Sequence, residues 1–144
     1  MNGRYRDWHV VMLLCDYAEE INGKLYVMGG GWSQLFTADA PTNMGLAIKV
    51  SVPWDQANRP HDFSVRLVTD DEQSVLTGDE QQPVELQGKL EVGRPPGLRP
   101  GTYLDSAIAL NLQNLVLPAG SFHWKAEVDG SEVAHIPFSI FQPR

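Results

Sequence analysis

Phe122-His123-Trp124-Lys125-Ala126-Glu127-Val128 sets apolar and polar side chains in strict alternation. A period of two is the signature of a strand with one face on a core and the other in water. The same period runs through Phe63-Ser64-Val65-Arg66-Leu67. It also runs through residues 84–92, where even positions are apolar or Gly and odd positions are charged or amide. Residues 45–52 and 106–112 are more apolar, with Leu46, Ile48 and Val50, and Ile108, Leu110 and Leu112, as the expected inner sets. Turn chemistry separates these runs. Asn22-Gly23 and Asp129-Gly130 supply residues that tolerate positive φ in tight hairpins, and prolines mark strand ends and loops. No stretch carries a helical stripe. About eight or nine short strands at regular spacing predict an all-β chain, a single-domain antiparallel β-sandwich of Ig-like or jelly-roll-like kind.

The last hairpin tests how far register can be read. A two-residue turn at Asp129-Gly130 pairs Trp124 with His135 and turns Ile136 to solvent. A three-residue loop, Val128-Asp129-Gly130, pairs Trp124 with Ala134 and Phe122 with Ile136, and turns Phe138 and Ile140 inward with them. The second choice keeps the large apolar groups on one face, so the bulged loop is expected.

Composition bounds the rest. The chain has 144 residues, enough for one core without disulfides or a structural metal, and its single cysteine excludes an intramolecular disulfide. A net charge of -7 with no run of Lys or Arg argues against nucleic acid and anionic membranes as partners. The longest apolar run, Val10-Val11-Met12-Leu13-Leu14-Cys15, is too short to span a bilayer and lacks a signal-peptide cleavage site. A cytoplasmic location is the expectation.

Chemical motifs are sparse. Val27-Met28-Gly29-Gly30-Gly31-Trp32 places three glycines after a strand-like run, yet no Lys-Ser/Thr and no helix follow as a phosphate loop requires. The glycines are expected to permit a bend or a close backbone approach. His123 and His135 are expected opposite one another on the outer face of the last hairpin, a solvated pair without a third metal ligand. Cys15 reads as a small buried hydrophobe and has no base beside it. Acidic residues gather at turns. No cofactor and no catalytic residue are expected, and the chain is read as a non-enzyme.

Two features remain as candidate sites. Residues 10–15 offer apolar side chains to both faces of a sheet, so the row that includes Val11 and Leu13 needs a cover, and an exposed apolar row marks an interface. Trp32, Trp54, Tyr17 and Tyr103 fall in or beside loops, with Arg94 and Arg99 in a proline-rich segment, and aromatic and Arg residues dominate interface hot spots. The stretches DYAEEINGKLYVMGGGW, VPWDQANRPHDFSVRLV and GKLEVGRPPGLRPGTYLD resemble a family of short bacterial proteins, chiefly actinobacterial, known only as a domain of unknown function. That resemblance implies a bacterial origin and adds no site. Two functions follow from the residues. One is a non-catalytic module that binds another protein or assembles with itself as a homo-oligomer. The other is a small-molecule or carbohydrate binder whose pocket lies near Trp32, Trp54 and Arg94.

Overall fold

A computed structural model describes residues 7–144 and is all-β apart from one 3-10 turn, Trp54–Gln56. In chain order the strands are β1 (His9–Cys15), β2 (Tyr17–Ile21), β3 (Lys24–Met28), β4 (Gln34–Leu35), β5 (Pro41–Val52), β6 (His61–Thr69), β7 (Leu76–Thr77), β8 (Gln82–Pro83), β9 (Glu85–Leu90), β10 (Leu104–Val116), β11 (Gly120–Val128) and β12 (Ser131–Ile140). Nine of these strands have five residues or more, matching the expected count. The two-residue strands β4, β7 and β8 are too short to display a period. Among the described residues no helix is long and apolar enough to cross a membrane.

Two sheets make the sandwich. One has the order β1-β5-β10, the other β4-β12-β11-β6-β9, and the hairpins β2-β3 and β7-β8 stand apart. Every pairing is antiparallel except β4 with β12, a two-residue parallel contact. From the first sheet Leu46, Ile48 and Val50 are fully buried, with Met12 and Leu14 beside them. The second sheet meets them with Phe63, Val65, Leu67, Phe122, Trp124, Phe138 and Ile140. Each large side chain removed from water contributes about 1.5–3 kcal/mol, so this single core is the main source of stability. Ile108, Leu110 and Leu112, on β10 at one edge of this sheet, point to the same core but are only half-buried.

The final hairpin corrects the expected register. Asp129 (φ 51) and Gly130 (φ 85) form a two-residue turn, with Val128 opposite Ser131. The extra residue enters later, at Val133, so that Trp124 faces Ile136 and Phe122 faces Phe138. Asp129 explains the tight turn. Its carboxylate bonds His61 Nδ1 at 2.8 Å and accepts the Asp62 N–H at 2.9 Å, while its own N–H donates to the Asp62 carbonyl. The turn is thereby held to the start of β6, and the bulge returns the apolar row to the core. The face was read correctly; the pairing was two residues out.

Candidate interaction surface

Register assigns the outer face of the β1-β5-β10 sheet row by row. Val11, Lys49 and Ala107 share one row, Leu13, Ala47 and Ala109 the next, and Cys15, Gly45 and Asn111 the third. The hairpin β2-β3 lies on this face. Ala18 and Leu25 pack against Cys15, Ala47 and Ala109 in a small second core. The Asn111 side chain clamps it, accepting the Ala18 N–H at 3.1 Å and donating to the Ala18 carbonyl at 2.8 Å. Gly45 permits the approach, since a Cβ there would lie 2.9 Å from Cys15 Sγ and 3.2 Å from the Tyr17 backbone. Burial under the hairpin pushes the Cys15 thiol above its ordinary pKa, and the neighbouring Asp16 charge pushes it the same way.

The cover is incomplete. Val11 stays 63% exposed and Leu13 37%, while Cys15, further along the same face of β1, is fully buried. Thus, among the described residues, the doubly apolar β1 is covered at one end only, by the next hairpin, and the N-terminal residues 1–6 lie outside the described residues. Pairing of Tyr17 with Met28, Glu19 with Tyr26 and Ile21 with Lys24 puts all six on the hairpin's outer face. Tyr17, Ile21, Tyr26 and Met28 are all exposed there, Met28 by 65%. The glycine run leaves the hairpin and passes beside the end of β1. Gly29 (φ 61) and Gly31 (φ 93) turn the chain, and a Cβ on Gly30 would stand 2.9 Å from Val27 and 3.1 Å from Leu13. The Gly31 N–H donates to the Leu14 carbonyl at 2.8 Å. These glycines bend the backbone and let it pass closely, as expected of them.

The opposite outer face is polar. On β6, β9 and β11 it carries Asp62, Ser64, Arg66, Glu85, Gln87, Lys89, His123, Lys125 and Glu127. His123 and His135 lie on it, but diagonally: His123 faces Pro137 and His135 faces Lys125, a consequence of the shifted register. Their rings touch edge-on with centroids 5.6 Å apart, and each already pairs with a carboxylate, Glu72 for His123 and Glu132 for His135, both at 3.2 Å. Among the described residues no three His, Cys, Asp or Glu groups converge to hold a metal. His61 is the histidine that composition left unread. It is 4% exposed, meets Trp8 edge-on, and sets its ring nitrogens against two oxygen acceptors, Asp129 and the Gln56 carbonyl, each at 2.8 Å.

The loop residues separate. Trp54 and Arg94 are together, the guanidinium 4.6 Å over the indole and donating to the Trp54 carbonyl at 2.7 Å. Tyr103 stacks on His9 at 4.7 Å and donates to the Asp7 carbonyl, while Arg99 lies exposed in the proline-rich loop with its carbonyl accepting from Thr102. Trp54 follows Val52, which pairs with Leu104, and it leads to His61, so these groups share one end of the sandwich. Trp32 lies at the other end, edge-on to Phe138 at 6.4 Å, just before β4 pairs with the tail of β12. The pocket expected from Trp32, Trp54 and Arg94 acting together is not formed, because the sandwich's length stands between the two tryptophans. Both pack against the core, one at each end.

Residue patterns do not reveal Asn111, an isolated amide in an apolar strand, nor the exposed row of Ile21, Tyr26 and Met28; Tyr17, expected in or beside a loop, opens β2 and completes that row. The Asn22-Gly23 turn was the available signal, since it fixes which hairpin residues share a face.

The model of one family, "Family of unknown function (DUF6941)", matches residues 10–141. No curated protein and no solved structure matches the chain.

Proposed function

The chain belongs to DUF6941, a family of unknown function, and from its surface we propose that it is a non-catalytic β-sandwich module that binds protein, either another protein or a second copy of itself. The binding side is the outer side of β1-β5-β10 with the hairpin upon it. One observation carries this reading. Val11, Leu13, Tyr17, Tyr26 and Met28 are exposed on that side, whereas the outward face of the other sheet is polar and ion-paired. Exposed apolar groups gathered on one side mark interaction surfaces, and Tyr and Met are enriched in the cores of interfaces. The same reading takes the source as bacterial, chiefly actinobacterial, and the location as cytoplasmic, with neither nucleic acid nor membrane as partner.

A photo-crosslinking amino acid at Met28, with Gln87 on the polar face as control, tests the proposal in cells that natively make the protein. Met28 is expected to give a light-dependent adduct that Gln87 does not. An adduct of about twice 16.0 kDa identifies a second copy, and any other discrete mass identifies a different protein. Equal or absent adducts at the two positions overturn the reading.

A further inference from the structure

Edges of β-sheets are usually blunted by Lys, Pro or a bulge, because their free N–H and C=O groups template a further strand. β10 is not blunted. Among the described residues it pairs only with β5, so on its far side every second N–H and C=O points away from the sheet. Ser106-Ala107-Ile108-Ala109-Leu110-Asn111-Leu112 contains neither Lys nor Pro, and the irregularity in its ladder falls beyond it, between Leu112 and Leu115. Ile108, Leu110 and Leu112 are left half-buried along this open side.

An open groove runs beside the edge, between β2 and the Ala107–Asn111 part of β10. Glu20 lines it. This carboxylate is on the sheet-facing side of the hairpin with Ala18 and Leu25, yet it is exposed where Ala18 is buried, and it borders the open groove. The Gly23 N–H donates to it at 2.7 Å and steadies it there. Asp105, on the outer side of β10, already pairs with Lys49 at 3.6 Å and accepts from the Ser51 hydroxyl at 3.4 Å, so Glu20 is the carboxylate that faces the groove.

We propose that an extended, basic segment of another protein adds to β10 as a further strand beneath the hairpin. The proposal rests on the reading of the chain as a protein-binding module and names its partner. Main-chain bonds to the free edge supply affinity, and alternate side chains supply specificity. One face of the added strand covers Ile108 and Leu110 with apolar groups. The other lies beside the small residues Ala107 and Ala109 and offers Lys or Arg to Glu20. A second copy fits the line less well, because its own residues 106–112 carry no Lys or Arg to offer Glu20.

The test uses the full chain as bait for a random-peptide phage library, followed by hydrogen exchange with a synthetic copy of the enriched peptide. Enriched peptides are expected to alternate apolar residues with Lys or Arg. Binding should slow exchange at every second amide within residues 106–112 by about tenfold or more, and leave β9, the edge of the other sheet, unchanged. Methylating alternate peptide amides should abolish binding in one phase and spare it in the other. Glu20→Gln should weaken a Lys-bearing peptide by about three- to tenfold while leaving the fold intact. Peptides without basic residues, no enriched peptide, or protection elsewhere overturn the proposal. So does a free protein of about twice 16.0 kDa with those amides already protected, since a second copy then holds the edge. A Met28 adduct with an unprotected β10 removes strand addition and leaves the protein-binding reading standing.

Discussion

Removing the Asn111 side chain should release the hairpin from the sheet, and Cys15 reports the release. Asn111→Ala deletes both bonds to Ala18, a residue only 1% exposed, and orphans its N–H and C=O. Each orphaned group costs about 1–3 kcal/mol when water cannot reach it. Asn111 is itself exposed, so water partly compensates, and about 2–4 kcal/mol is the expected loss for opening the hairpin. That corresponds to a thirtyfold to thousandfold rise in the open population, at about 1.4 kcal/mol per factor of ten. Cys15 lies under the hairpin with no exposed surface and a thiol whose pKa is raised by that burial, so it is protected twice. An aromatic disulfide reagent should therefore label wild type slowly and the variant faster by the same factor. Asn111→Asp keeps an acceptor for the Ala18 N–H but loses the donor, and should fall between. Urea titration in parallel measures global unfolding. If labelling accelerates by less than about threefold, or only in proportion to global destabilisation, Asn111 is not the clamp and the hairpin is held by packing alone.

Four further outcomes are expected. The Asp129 carboxyl is held below its ordinary value of 3.8 by its bond to His61, then by the Asp62 N–H. A carboxyl depressed in the folded state stabilises above its unfolded value and loses that contribution as pH falls through its folded value. Asp129→Asn, which suits the positive φ of the turn, should be less stable than wild type at neutral pH, with the gap in urea midpoint closing below about pH 4; a gap constant down to pH 2 refutes the linkage. Gly31→Ala forces a side chain into a left-handed conformation at φ 93 with open space around it, so backbone strain alone should cost about 1–2 kcal/mol. ATP, GTP or NAD should leave the wild-type melting curve in place, and a ligand-dependent rise would return the glycines to phosphate binding. EDTA should not move the melting temperature, because His123 and His135 are already paired with Glu72 and Glu132, and a fall of several degrees would show otherwise.

What could be read from residues is what depends on parity; what could not depends on neighbours. Trp124 was expected opposite Ala134 and stands opposite Ile136, a slip of two, and a slip of two leaves every side chain on its own face. The buried rows were therefore legible through Phe122–Val128 and Leu46–Val50 while their pairing was not. The extra residue at Val133 has no local mark, being set by Asp129 bonding to a strand 68 residues away in sequence. Likewise the two apolar faces of β1 announced that a cover was needed, but its source was hidden, because the hairpin touches the sheet through small groups, Ala18 above all, that leave no periodic trace. Trp32 and Trp54 looked alike as loop aromatics, and only the order of the strands sends them to opposite ends. The same holds most strongly for the candidate site. Residues 106–112 carry the same kind of apolar pattern as β5, whose Leu46, Ile48 and Val50 are wholly buried between two neighbours. Nothing in either stretch says which one keeps a free side. A free strand edge is thus a property of strand order, visible only once β10 is found to have one neighbour where β5 has two.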